Sequence, residues 1–102
     1  MTIRLEPGSL LAKLYGKPAV QEQYLCSFGV NPEYEQTFRS SGLRAVASDD
    51  EGVVRAVELA RHPFMIGTLF LPQHTSTPAC PHPVISGFLR ACSQRSNQEK
   101  DR

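Results

Sequence analysis

The chain has 102 residues, enough for one domain around a single core. Hydrophobic residues make up 40% and charged residues 21%, an ordinary globular balance that leaves no room for a long disordered or fibrous character. The net charge is +1 with acidic and basic side chains interleaved, which excludes the basic stripe of a nucleic-acid interface.

In chain order, residues 3–5 form a candidate strand that Pro7-Gly8 stops. Ser9 is placed to cap a short helix through Leu10, Leu11 and Leu14, and Gly16 to end it. Residues 19–28 read as extended. Asn31-Pro32 predicts a helix start, with an Asn cap, Pro at the first helical position, and Glu33 and Glu35 near the positive helix end. Tyr34 and Phe38 share one face, and Gly42 stops the helix.

Residues 43–48 and 53–59 are β-branched-rich runs joined by Asp49-Asp50-Glu51-Gly52, a hairpin in which Gly52 supplies a positive φ. The acidic turn reads as solvated rather than as a cation site. Residues 64–70 are nearly all apolar, as expected of a strand buried on both faces of an α/β sheet. A loop rich in Pro, Thr and Ser follows. Pro83 then starts a helix with Val84, Ile85, Phe88, Leu89 and Cys92 along one stripe. The order reads as part of an α/β layer structure with mixed strand directions. Residues 1–92 make up the folded part. Residues 93–102 carry no apolar side chain and are expected to be disordered.

The longest apolar run, 64–71, is too short to cross a bilayer, and residues 1–6 lack the apolar stretch of a secretion signal. Three cysteines, Cys26, Cys80 and Cys92, are an odd number without framework spacing, so a reducing, cytoplasmic setting is expected.

Several segments together resemble the C-terminal part of the class I glutamine amidotransferase (glutaminase) domain of CTP synthase. They are Leu5-Glu6-Pro7-Gly8-Ser9-Leu10, Leu14-Tyr15-Gly16, Phe28-Gly29-Val30-Asn31, Ala56-Val57-Glu58-Leu59 and His62-Pro63-Phe64, with the Pro72 loop and the Pro83 helix continuing the match. The likeness covers roughly residues 4–93 and is closest to the offshoot called CTP synthase C-terminal region-related proteins. It implies the C-terminal portion of an amidotransferase-like α/β sheet with flanking helices and a β-hairpin, the nucleophile half being absent from the chain.

In that family a cysteine in Gly-x-Cys-x-Gly attacks the glutamine amide, a histidine is its base and a glutamate orients the histidine. The freed ammonia aminates UTP to CTP. A thiol needs its base and the base needs its orienter. Here no Gly-x-Cys-x-Gly occurs, and the family's His-Pro-Glu aligns with Leu71-Pro72-Gln73. Leu71 accepts no proton and Gln73 carries no charge to stabilise an imidazolium. The arginine that helps hold the substrate carboxylate aligns with Ser27, which offers one hydroxyl and no charge-assisted fork.

Cys26 remains as a candidate thiol beside the former substrate position. A free cysteine is ordinarily a small buried hydrophobe, and no His or Lys stands nearby in sequence to activate it. His74, Cys80 and His82 form a His-x5-Cys-x-His cluster whose spacing fits no standard zinc pattern, so no metal ligand is assigned. His62 reads as a structural histidine at the entry to the apolar strand. No cofactor is called for. The expected function is a degenerate glutaminase-like module, non-catalytic alone, a fragment or a docking half-domain. Its partner would be another protein chain or the missing N-terminal half. The alternative is half of a split enzyme of the CTP synthase type, or a thiol-active relative using Cys26.

Overall fold

The computed structural model describes residues 1–23 and 31–100. Five strands form one sheet in the order β2-β1-β3-β4-β5, and each of the four described pairings is antiparallel. The strands are β1 (Thr2–Leu5), β2 (Ala19–Gln21), β3 (Leu43–Ser48), β4 (Val54–Leu59) and β5 (Ile66–Thr68). The helices are α1 (Leu10–Tyr15), α2 (Glu35–Ser40), α3 (Pro72–Thr75) and α4 (Pro83–Lys100).

Local chemistry sets the ends of these elements. Ser9 Oγ accepts the Ala12 N–H at 3.0 Å and caps α1, which stops at Gly16 with φ 70°. Asn31 Oδ1 accepts the Glu33 N–H at 3.0 Å, opening a 3-10 turn over Pro32–Tyr34 that continues into α2. The β3–β4 hairpin turns as expected, with Gly52 at φ 80°. Its acidic run, however, is not uniformly solvated. Asp49 is buried, its Oδ1 accepts the N–H groups of Glu51 and Val53, and its Oδ2 accepts Arg55 Nε at 3.0 Å. Arg55 is buried on β4 and needs that carboxylate.

One face of the sheet carries the core. Ile3 and Leu5 of β1, Val46 and Ala47 of β3, and Ala56 of β4 pack with Leu11 of α1 and Phe70, and Val84 of α4 closes the cluster. A register shift between Ala45 and Ser48 lets the consecutive residues Val46 and Ala47 both be buried, which an unbroken pleat would prevent. At Gly87 of α4 an added Cβ would stand 2.6 Å from Leu14 Cδ2, so α1 and α4 approach closely there.

Three expectations are corrected. The apolar run 64–70 is not a strand buried on both faces. Only Ile66–Thr68 is extended, at the sheet's edge, with Met65 52% and Leu69 40% exposed and Phe70 alone fully buried. No described strand lies beyond β5 to cover its outer side. Mixed strand directions are likewise absent from the described pairs. Third, α4 continues through residues 93–100, where composition predicts disorder. Those positions contain neither Pro nor Gly and include the good helix formers Gln94, Arg95, Gln98, Glu99 and Lys100, so a solvated helical extension is not opposed. Phe88 and Leu89 of the α4 stripe are exposed, whereas Val84 and Ile85 are half-buried.

Candidate functional site

The loop after β5 places the residues that align with the family's base and orienter. Leu71 is half-buried at the start of α3, and its N–H donates to Gln23 O at 2.8 Å, joining this loop to the segment after β2. Gln73 lies on α3 and is exposed. Neither side chain titrates. Cys26 and Ser27 lie outside the described residues.

The metal reading of His74, Cys80 and His82 finds no geometry behind it. His74 and Cys80 are exposed, whereas His82 is buried and engaged elsewhere. Among the described residues no group of three His, Cys, Asp or Glu is placed to hold a metal ion. His62 is exposed at the surface and accepts the Phe64 N–H through Nδ1 at 3.1 Å, a local turn contact.

The polar centre lies beside the loop after β5, around Glu22 just after β2, with the Phe70 ring 6.4 Å from His82. The Glu22 backbone is fixed by two bonds to Met1, its N–H donating to Met1 O and its C=O accepting the Met1 amino group, each 3.0 Å. Its side chain turns inward and the residue is 3% exposed. Oε1 accepts the Tyr15 hydroxyl and lies 2.5 Å from His82 Nε2. The Tyr15 hydroxyl is also 2.9 Å from Nε2, and the Tyr15 and His82 rings meet edge to face at 84°.

The backbone sets the histidine's tautomer. His82 Nδ1 accepts the Val84 N–H at 3.1 Å, so the ring proton sits on Nε2 and is donated to Glu22. The His82 N–H itself donates to Ser76 Oγ at 2.9 Å. With both ring nitrogens occupied, His82 has none left to take a proton from a substrate. Burial, then the hydrogen bond to Glu22 and its charge, push the Tyr15 phenol well above its ordinary value of 10.0. Tyr15 therefore stays a donor throughout the physiological range.

This trio lines a cleft of about 490 Å³ together with Lys17, Thr75 and Cys80. Sequence reading missed Glu22 and Tyr15. They are 60 and 67 residues from His82 and share no local motif with it. No local signal marks them, since Glu22 follows a short, largely exposed strand.

The curled sheet flanked by helices is a class I glutamine amidotransferase-like α/β fold. No family model matches the chain. It is 37% identical over 90 residues to the CTP synthase of Helicobacter pylori strain HPAG1, covering 88% of this chain and 17% of that one. It is 39% identical over 90 residues to the CTP synthase of Rubrobacter xylanophilus, covering 87% and 16%. The structure superposes on the glutaminase domain of Trypanosoma brucei CTPS with bound acivicin at a TM-score of 0.83 and 29% identity, over 91% of this chain and 38% of that chain. The chain is thus a relative of the C-terminal glutaminase region of CTP synthase. It spans about one sixth of the length of the curated relatives it matches.

Proposed function

We propose that this chain is a glutaminase-like module that does not hydrolyse glutamine by itself and works docked against a second polypeptide segment, the remainder of an amidotransferase-like domain. The observation that carries this reading is Leu71-Pro72-Gln73, where the family has its base and orienter. Without an imidazole and a carboxylate there, a thiol supplied from elsewhere gains no activation from this chain.

Docking is supported by the β5 edge. Val57 pairs with Gly67, and Leu59 N–H and Leu69 N–H bond across to Met65 and Arg55. The alternation of an antiparallel pair therefore directs the N–H and C=O groups of Ile66 and Thr68 away from β4. Exposed Met65 and Leu69 flank that edge, and exposed Phe88 and Leu89 lie on α4. An edge strand with no described strand on its outer side, flanked by exposed apolar residues, fits strand addition. The matched Trypanosoma domain also extends well beyond the share this chain covers. No helix among the described residues is long and apolar enough to cross a membrane, and the unpaired thiols of Cys80 and Cys92 suit the reducing cytoplasm.

Two measurements test the reading. The chain incubated with glutamine should release no ammonia, and release that saturates with glutamine would overturn it. Co-expressed with the remainder of a CTP synthase glutaminase domain, it should co-purify. Thr68→Pro, which removes an outward N–H without touching the β4 pairing, should abolish that association.

A further inference from the structure

We infer that the cleft at the β2 edge is a binding site for a small molecule bearing a primary ammonium at one end and an anionic group at the other. This goes beyond the docking reading and does not depend on it.

The observation lies in how unevenly the Glu22 carboxylate is satisfied. Oε1 takes both available donors, the Tyr15 hydroxyl and His82 Nε2–H. Oε2 is buried and has no hydrogen-bond partner among the described residues. A carboxylate oxygen left bare in the interior is a costly acceptor, and it belongs to a residue that lines a cleft of about 490 Å³. Tyr15 and His82 cannot turn to serve it, because each is already committed to Oε1 and His82 is pinned at Nδ1 by Val84. The missing partner is therefore a donor from outside the trio, and an ammonium suits an anionic oxygen better than a neutral amide does.

The cleft also fixes the other end of the ligand. Lys17, on the α1–β2 turn, is exposed and lines the same cleft. An exposed cation and a buried anion thus line one cleft, the complement of a zwitterion. Thr75 and Cys80 are also exposed lining residues. Oε2 is itself enclosed, so a ligand end reaches it only when side chains lining the cleft move.

The probes are γ-aminobutyrate and ε-aminocaproate as zwitterions, n-butylamine as the ammonium alone and butyrate as the anion alone. Binding to the full chain is followed by amide chemical shifts. Saturable shifts at Tyr15, Lys17 and His82 are expected with a zwitterion, weaker binding with n-butylamine and none with butyrate. Glu22→Gln should weaken zwitterion binding by about tenfold or more. Lys17→Ala changes an exposed residue, so the fold is kept. It should bring zwitterion and n-butylamine to similar affinity. No saturable shift with any amine, butyrate binding as well as the zwitterions, or a zwitterion preference unchanged in Lys17→Ala would each overturn the assignment.

Discussion

Glu58, near the end of β4, caps a helix that begins 48 residues earlier: its Oε2 accepts the Leu11 N–H at 3.3 Å, while Oε1 accepts the Leu10 N–H at 3.2 Å. The first turn of α1 has no acidic residue of its own, so the sheet supplies the negative charge that the helix start favours. Helix position and sheet register are thereby tied through one buried side chain. Glu58→Ala should lower the unfolding free energy by about 2 kcal/mol, since it leaves two N–H groups unserved in a buried setting. Urea denaturation measures this. A loss no larger than at an exposed glutamate such as Glu51 would refute the capping role.

The Tyr15 phenol should make the fold alkali-sensitive. Burial first, and then Glu22, raise its folded-state value above the unfolded value of 10.0. Its contribution is present in full below 10.0 and is lost as pH rises from there toward the folded value. Tyr15→Phe removes the linkage, so its stability should decline less steeply in that range. Ultraviolet titration should show phenolate formation at Tyr15 only together with unfolding.

Asp49 predicts the opposite limb. Burial alone would raise its value, but hydrogen bonds from the Val53 N–H, the Arg55 guanidinium and the Glu51 N–H more than offset this and hold it below 3.8. Its stabilising effect is complete above 3.8 and disappears as pH falls through the lower folded value. Asp49→Asn should be less stable at neutral pH and should lose less on acidification. Parallel acid titration curves for the two proteins would exclude this linkage.

Gly87 tests packing against propensity. Alanine favours a helix interior over glycine by about 1 kcal/mol. Its methyl group would meet Leu14 Cδ2 at 2.6 Å and Phe64 Cε2 at 3.2 Å, and such overpacking costs roughly 1–3 kcal/mol. Gly87→Ala should therefore destabilise by about 1 kcal/mol in thermal or urea unfolding. A gain in stability would mean that α1 and α4 yield freely at that contact.

How much of this was legible in the sequence depends on how local the cause is. The Ser9 and Asn31 caps and the Gly16 and Gly52 turns act within a few residues, and each appears where the sequence places it. The apolar run at 64–70 misled, because apolarity reports a need for cover and not which chain provides it. The disordered reading of 93–100 failed for a related reason, since low hydrophobicity does not by itself prevent helix extension. Of the site, Leu71 and Gln73 stand out only through the family resemblance, since neither residue carries a chemical signal of its own. The Tyr15–Glu22–His82 contact could not be read, as it depends on three segments meeting at a sheet edge.

The bond from Leu71 N–H to Gln23 O uses main-chain atoms only. It would form equally well with almost any pair of side chains at those two positions. That bond places no demand of its own on the side chain at position 71. A backbone of this kind lets sequence drift through a reactive position while the outline of the domain stays recognisable. Such likeness of shape does not depend on which side chain stands at position 71.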